Sequence, residues 1–334
     1  MIRINKNESP IRAFSDETLK DIVLKSRFFE YPDEEYDQFI AAYAEFNDFT
    51  ANQLSAANGS DEWIQKCMIA LGSGPVLTLN PDFFMYADYA AQFERPIHYV
   101  NCDQDFNFDL TEILAAMDEL KPSFFILSQP NNPTGILFSD DFVQQCSTKM
   151  QSLGGYIILD EAYIEFSRPY TVPEGQHVIR MRTMSKIYGF AGLRIGIVIS
   201  HPDTIKLLNS IQHPYPINTL SLQLATHLLQ DKTHLAEFFD YQRARAKQLH
   251  QIFLAQSDVI HVIPSETNFI MTYGEHALSL GRYIEAHGFL PRTYPDDDLL
   301  NEVVRYSIAT EEQLTQLEQI TLDWRRAFDA SHQN

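Results

Sequence analysis

The chain has 334 residues, more than one hydrophobic core usually serves, so two domains are expected. Hydrophobic residues are 45% of the total and charged residues 21%, a globular composition that excludes a disordered chain. A formal net charge of -20 argues against nucleic acid and anionic membranes as partners, and makes any basic residue at a strand end notable.

The N-terminus, Met1-Ile2-Arg3-Ile4-Asn5-Lys6-Asn7-Glu8, lacks the apolar stretch of a signal peptide. No later run approaches the roughly 18 apolar residues of a membrane span. Residues 61–71 place Trp63, Ile64, Cys67, Met68 and Leu71 at helical spacing, which predicts a helix with Cys67 on its apolar face. Ser60 is read as its N-cap. Gly59 permits close backbone approach there, and the helix's exposed N–H groups could also bind a phosphate.

Short apolar runs at 76–79, 124–127, 156–159 and 195–199 read as buried strands. Their continuous rather than alternating apolarity suits a mainly parallel sheet covered on both faces. A second helix is expected over 140–153. His213-Pro214-Tyr215-Pro216 breaks regular structure, and a long polar helix follows over 231–256. Its basic run, Arg243, Arg245 and Lys247, reads as a solvated face. Short strands at 269–271 and 303–306 are separated by a helix at 277–287. Thr310-Glu311-Glu312-Gln313 is a capping box that opens the final helix. The pattern is an α/β domain followed by a smaller α+β domain. Cys67, Cys102 and Cys146 form no CxxC pair, and the eleven histidines form no HxH or HExxH pair. No metal site is expected, and a reducing, cytoplasmic setting is.

Ligands of an α/β sheet gather at the carboxyl ends of its strands. After 124–127 comes Ser128-Gln129-Pro130-Asn131-Asn132-Pro133-Thr134-Gly135, a tight turn carrying two asparagine amides, or a plain Asn-Pro turn. After 156–159 comes Asp160-Glu161-Ala162-Tyr163, where the aspartate is either a ligand or a helix cap. Then come Arg182-Thr183-Met184-Ser185-Lys186 and Ala191-Gly192-Leu193-Arg194-Ile195-Gly196. A lysine among hydroxyls, glycines and an arginine suits a loop around an anion, and lysine forms Schiff bases with carbonyl cofactors. Gly72-Ser73-Gly74 lacks the third glycine of a dinucleotide fingerprint, which removes a nucleotide-binding dehydrogenase.

In this order, together with Asn5-Lys6-Asn7-Glu8-Ser9-Pro10, Tyr31-Pro32-Asp33, Asn58-Gly59-Ser60-Asp61-Glu62, Pro264-Ser265-Glu266-Thr267-Asn268-Phe269 and Arg305, the segments resemble those of fold-type I pyridoxal 5′-phosphate (PLP) aminotransferases. Within these, the chain resembles the class II histidinol-phosphate aminotransferase family, from residue 4 to residue 310. The resemblance implies a large domain over 28–225 with a mainly parallel seven-stranded sheet. It implies a small α+β domain over 226–334, and an N-terminal arm over 1–27 that forms part of the small domain.

It also implies roles. Lys186 would hold PLP as a Schiff base and shuttle a proton. Asp160 would pair with the pyridine nitrogen, Asn132 and Tyr163 would hydrogen-bond the phenolic oxygen, and Phe83 would stack on the ring. Gly59, Ser60, Asp61, Thr183, Ser185 and Arg194 would hold the phosphate. Tyr31 would reach that phosphate from the other subunit of a homodimer. Arg305 would grip a substrate carboxylate, Arg292 would meet a substrate phosphate, and Asn132 would also face substrate. The family carries Tyr where Phe83 stands, and Tyr where Ser9 stands; the Ser9 hydroxyl can still donate to phosphate. The expected reaction passes an amino group from histidinol phosphate to 2-oxoglutarate. An aromatic amino acid aminotransferase, a PLP decarboxylase of an amino-acid phosphate and a non-enzymatic PLP-binding protein remain alternatives.

Overall fold

The computed structural model describes residues 1–332. Its strands are, in chain order, β1 Ile2–Arg3, β2 Leu54–Asn58, β3 Val76–Asn80, β4 Ile97–Asn101, β5 Phe124–Ser128, β6 Tyr156–Asp160, β7 Val178–Thr183 and β8 Ile195–Ser200. They continue with β9 His261–Ile263, β10 Phe269–Tyr273, β11 Phe289–Leu290, β12 Arg292–Thr293 and β13 Val303–Ser307. The large sheet has seven strands in the order β2-β8-β7-β6-β5-β3-β4. Only β8 runs antiparallel to its neighbours, β2 and β7; the other pairs are parallel.

Side chains alternate across a strand, so an all-apolar strand feeds two cores. Phe124 and Ile126 of β5 pack with Trp63, Cys67 and Met68 of the helix Ser60–Ala70 on one face. Phe125 and Leu127 pack with Phe142, Val143, Cys146 and Met150 of the helix Asp140–Ser152 on the other. β4 and β5 lie on opposite sides of β3. The chain therefore reverses direction across the sheet at β3, and the loops after β3 and β5 open a crevice there.

The small sheet, β12-β13-β10-β9, is antiparallel throughout. β1 joins this part of the molecule by pairing in parallel with β11, and Ile4 lies in its core beside Phe253, Ile270 and Tyr306. Ala13, Phe14 and Ile22 instead pack in a cluster built on β2 and β8. The N-terminal arm thus crosses between the two bodies. The helix Lys232–Leu254 also spans both: Leu235, Phe238 and Phe239 face the large body, and Leu249, Ile252 and Phe253 the small one. The capping box forms, with Thr310 Oγ1 accepting from Gln313 N–H at 3.3 Å and Gln313 Oε1 accepting from Thr310 N–H at 3.1 Å.

Two expectations need correction. Arg245 is not on a solvated face: its side chain is 14% exposed and pairs with Glu311 at 2.6 Å, tying the long helix to the last one. The sequence reading also missed β2 and β4. Leu-Ser-Ala-Ala-Asn has no β-branched residue, and β4 is an edge strand with exposed His98 and Tyr99. No helix among the described residues is long and apolar enough to cross a membrane.

Candidate active site

The crevice at β3 and β5 is held shut at its base by Asp82. Its carboxylate accepts from Phe83 N–H at 2.7 Å, from Ser128 N–H at 3.1 Å and from the Ser128 hydroxyl. Burial pushes this carboxyl up to about 7, against the hydrogen bonds from Ser128. Ser128 Oγ in turn accepts from Asn132 N–H at 2.9 Å, which fixes the turn that presents the Asn132 amide. The Phe83 ring lines the crevice beside it.

Asp160 ends β6. It is 4% exposed, and it accepts from the Tyr86 hydroxyl at 2.9 Å and from Ala162 N–H at 3.3 Å. Burial pushes it up to about 6, and the Tyr86 hydrogen bond and the Lys186 charge recover only part of that. Among the described residues no cationic side chain pairs with it within salt-bridge distance. A buried carboxylate in this state calls for a cation in the adjoining cavity. A ring nitrogen that gains a proton meets that need.

The third wall is an anion cradle. The helix Ser60–Ala70 starts from Gly59, whose φ of 86° only glycine adopts readily, and it has no side-chain cap. Ser60 is the first helical residue, so its expected capping role is corrected. The first-turn N–H groups stay free for an anion. Gly196 lets this helix end sit against β8, because a Cβ there would lie 2.2 Å from Gly59 C and Ser60 N. Facing the helix end, the Thr183 hydroxyl donates to Ser185 Oγ at 2.9 Å. Arg194 reaches Ser185 Oγ at 3.4 Å and Asp61 Oδ2 at 2.7 Å. The cradle encloses a cavity of about 110 Å³ that also touches Asp160 and Lys186.

A larger cavity of about 900 Å³ opens from it, and Lys186, Tyr163, Asn132 and Phe83 line both. Lys186 Nζ lies 5.4 Å from the Tyr163 ring centre and donates to the Lys6 carbonyl at 3.4 Å. The far wall is the small sheet. Arg305, 8% exposed, donates to Asn132 Oδ1 and, at 3.2 Å, to the Asn5 carbonyl. Its guanidinium lies 5.0 Å from the Phe269 ring centre, and its buried Nε has no partner. Arg292 lines the same cavity from β12.

Three expected residues line neither cavity, and the first is Gly59, which stands as the N-cap behind the helix end. Ser9 donates its hydroxyl to the Ile11 carbonyl at 2.9 Å and lines neither cavity. Tyr31 is 74% exposed and stacks on Tyr215 at 4.6 Å. The sequence reading assigned no role to Asp82, Tyr86, Lys6 or Asn7. The first two follow a strand's carboxyl end, the rule that found Asp160, and that rule could have found them. The described residues contain no group of three or more histidine, cysteine, aspartate or glutamate side chains able to hold a metal.

The residues fit PLP on three independent counts: an uncapped helix end with an arginine and a hydroxyl beside it, a buried carboxylate lacking a cation, and a lysine lining the same cavity. The family model for class I and II aminotransferases matches residues 5–314. The chain is 29% identical over 326 residues to a histidinol-phosphate aminotransferase of Clostridium novyi, covering 93% of this chain and 88% of that one. It is 30% identical over 290 residues to a histidinol-phosphate aminotransferase of Flavobacterium johnsoniae, covering 85% and 82%. It shares its fold with the crystal structure of histidinol-phosphate aminotransferase from Sinorhizobium meliloti in complex with pyridoxal-5′-phosphate. The TM-score is 0.82 at 23% identity, with 97% and 91% of the two chains covered.

Proposed function

The chain belongs to the class I and II aminotransferases, and from that premise we propose that it moves the amino group of histidinol phosphate to 2-oxoglutarate, with PLP bound at Lys186. PLP supplies an electron sink for the charge left at the substrate Cα. Asp160 would favour that role by holding a positive charge on the ring nitrogen, and Phe83, which lines the same cavity, would pack against the ring. The helix end at Ser60, together with Ser185 and Arg194, would anchor the phosphate. Lys186 Nζ, released when the substrate amine takes its place on the cofactor, would be the base that takes the Cα proton, and the Lys6 carbonyl accepts from it at 3.4 Å at the cavity wall. Arg305 and Asn132 orient the substrate.

The observation that carries the substrate reading is the second cation, Arg292, placed beside Arg305 on the same cavity. One arginine serves a lone carboxylate. Two serve a substrate whose anionic group carries more charge, such as a phosphate. We further propose a cytoplasmic homodimer in which Tyr31 completes the partner's phosphate site. Leu24, Phe28 and Phe29 beside it are 75%, 64% and 76% exposed, an apolar surface suited to a second copy.

Single-turnover kinetics of the PLP-loaded protein with histidinol phosphate, phenylalanine and tyrosine test the substrate. The reading expects histidinol phosphate to react fastest. Faster turnover of the aromatic acids would replace the substrate and leave the reaction class in place.

A further inference from the structure

Asn7 is 2% exposed and holds a φ of 56°, a left-handed conformation that asparagine tolerates better than most residues. Its polar groups are committed in a definite sense. Its N–H donates to Ser307 Oγ at 2.9 Å, and its carbonyl accepts from Asn268 Nδ2 at 3.1 Å. Its Oδ1 accepts from the Ser307 hydroxyl at 2.6 Å, and its Nδ2 donates to the Tyr163 hydroxyl oxygen at 2.8 Å.

The amide orientation follows from satisfying every group. With the amide reversed, Ser307 Oγ would face two N–H donors, and its own proton would lose its acceptor in a site 2% exposed. Oδ1 therefore faces Ser307 and Nδ2 faces Tyr163. An N–H that arrives at the phenol oxygen leaves the tyrosine proton to point elsewhere. Tyr163 lines both cavities, and among the described residues no protein group accepts that proton.

We propose that Asn7 is a positioning residue that makes Tyr163 a hydrogen-bond donor into the cofactor cavity. The proposal rests on the PLP reading above. The acceptor is an anionic oxygen, which on PLP is the phenolic one. A donor there stabilises the negative charge and so favours loss of the proton from the lysine–cofactor linkage. Ser307 stands two residues from Arg305 on β13, so both face the same side of the small sheet. The strand that presents Arg305 to substrate thus also fixes the Asn7 amide.

The test is a double-mutant cycle read by absorbance. The pH midpoint of the visible band is titrated in PLP-loaded wild type, Asn7→Asp, Tyr163→Phe and the double variant. Asn7→Asp keeps size and places an acceptor where the donor was, which turns the Tyr163 proton away from the cavity. The proposal expects the midpoint to rise by about one pH unit, a tenfold change in the proton equilibrium, in each single variant. It expects the double variant to rise no further than Tyr163→Phe alone. Additive shifts would mean that the new carboxylate acts by its charge alone, and would overturn the proposal. Should Asn7→Asp not fold, Ser307→Ala frees the amide to rotate with Asn7 intact and runs the same cycle. It should raise the midpoint with Tyr163 present and leave it unchanged in Tyr163→Phe; a shift in both would overturn the proposal. Absence of any visible band in the wild type would overturn the PLP reading itself, and the proposal with it.

Discussion

Arg292 and Arg305 stand directly opposite each other on paired antiparallel strands, so both side chains leave the same face of the small sheet and line one cavity. Arg305 is 8% exposed and braced by Asn132 and Asn5, whereas Arg292 is exposed and lies 5.2 Å from the Tyr294 ring centre. Two like charges on one face repel, and an anion placed against both relieves the repulsion.

This pair predicts an asymmetry. Arg292→Ala should lower kcat/KM for histidinol phosphate by about 10- to 100-fold, the value of a charge-assisted hydrogen bond, and should lower it far less for glutamate. Arg305→Lys should lower both substrates together, since an ammonium cannot reproduce the guanidinium fork held by Asn132 and Asn5. Steady-state kinetics with each donor check both. Equal losses for Arg292→Ala would remove its phosphate role.

Asp160 predicts a pH signature in the cofactor-free protein. Its folded pKa, about 6, lies above that of an unfolded aspartate, so the native state binds the proton more tightly. Its contribution to stability is therefore present at low pH and is lost as pH rises through about 6. Asp82, held near 7 by burial, adds a loss of the same sign, so the comparison must be with a variant. Asp160→Asn should melt with wild type below about pH 4 and above it in temperature at pH 7.5. Its amino-transfer rate should fall by at least about 100-fold. Thermal melts across pH with PLP removed give the first half, and a wild-type-like melting profile throughout would contradict it.

Gly196 predicts a packing effect at the phosphate. Gly196→Ala drives a methyl into the backbone at Gly59 and Ser60, which cannot yield as a side-chain tip can. The helix end must move off β8. The variant should lose about 1–3 kcal/mol of stability and bind PLP about tenfold or more weakly, whereas Gly192→Ala, whose Cβ meets nothing within 4 Å, should do neither. Equilibrium dialysis against PLP and thermal melts measure the two effects.

Much of this site was readable in the sequence because one rule of open α/β sheets places ligands after the strands. Asp160 and Asn132 each follow a clearly apolar strand, Lys186 follows β7, whose alternating Arg180 and Arg182 make it a weaker signal, and the structure brings all three to one cavity. Asp82 and Tyr86 follow β3 in the same way, but a carboxylate and a tyrosine beside phenylalanines read as packing until Asp160 is seen accepting from Tyr86. Asn7 was unreadable for a different reason. Its partners, Tyr163, Asn268 and Ser307, are remote in the chain, and no local pattern encodes a contact across 300 residues. Ser60 and Arg245 misled because local preference was weighed without tertiary context. A free helix end serves a ligand, and an arginine in a basic run found Glu311 on another helix.

The account rests on Lys186 as the covalent seat of the cofactor. The direct measurement is borohydride reduction of the PLP-loaded protein, followed by mass mapping of its peptides. The account predicts that the pyridoxyl-phosphate mass lies on Lys186, and that Lys186→Ala carries none while still folding. Label on Lys6, the other lysine lining the larger cavity, with Lys186 unlabelled, or a wild type that takes no label, would contradict it.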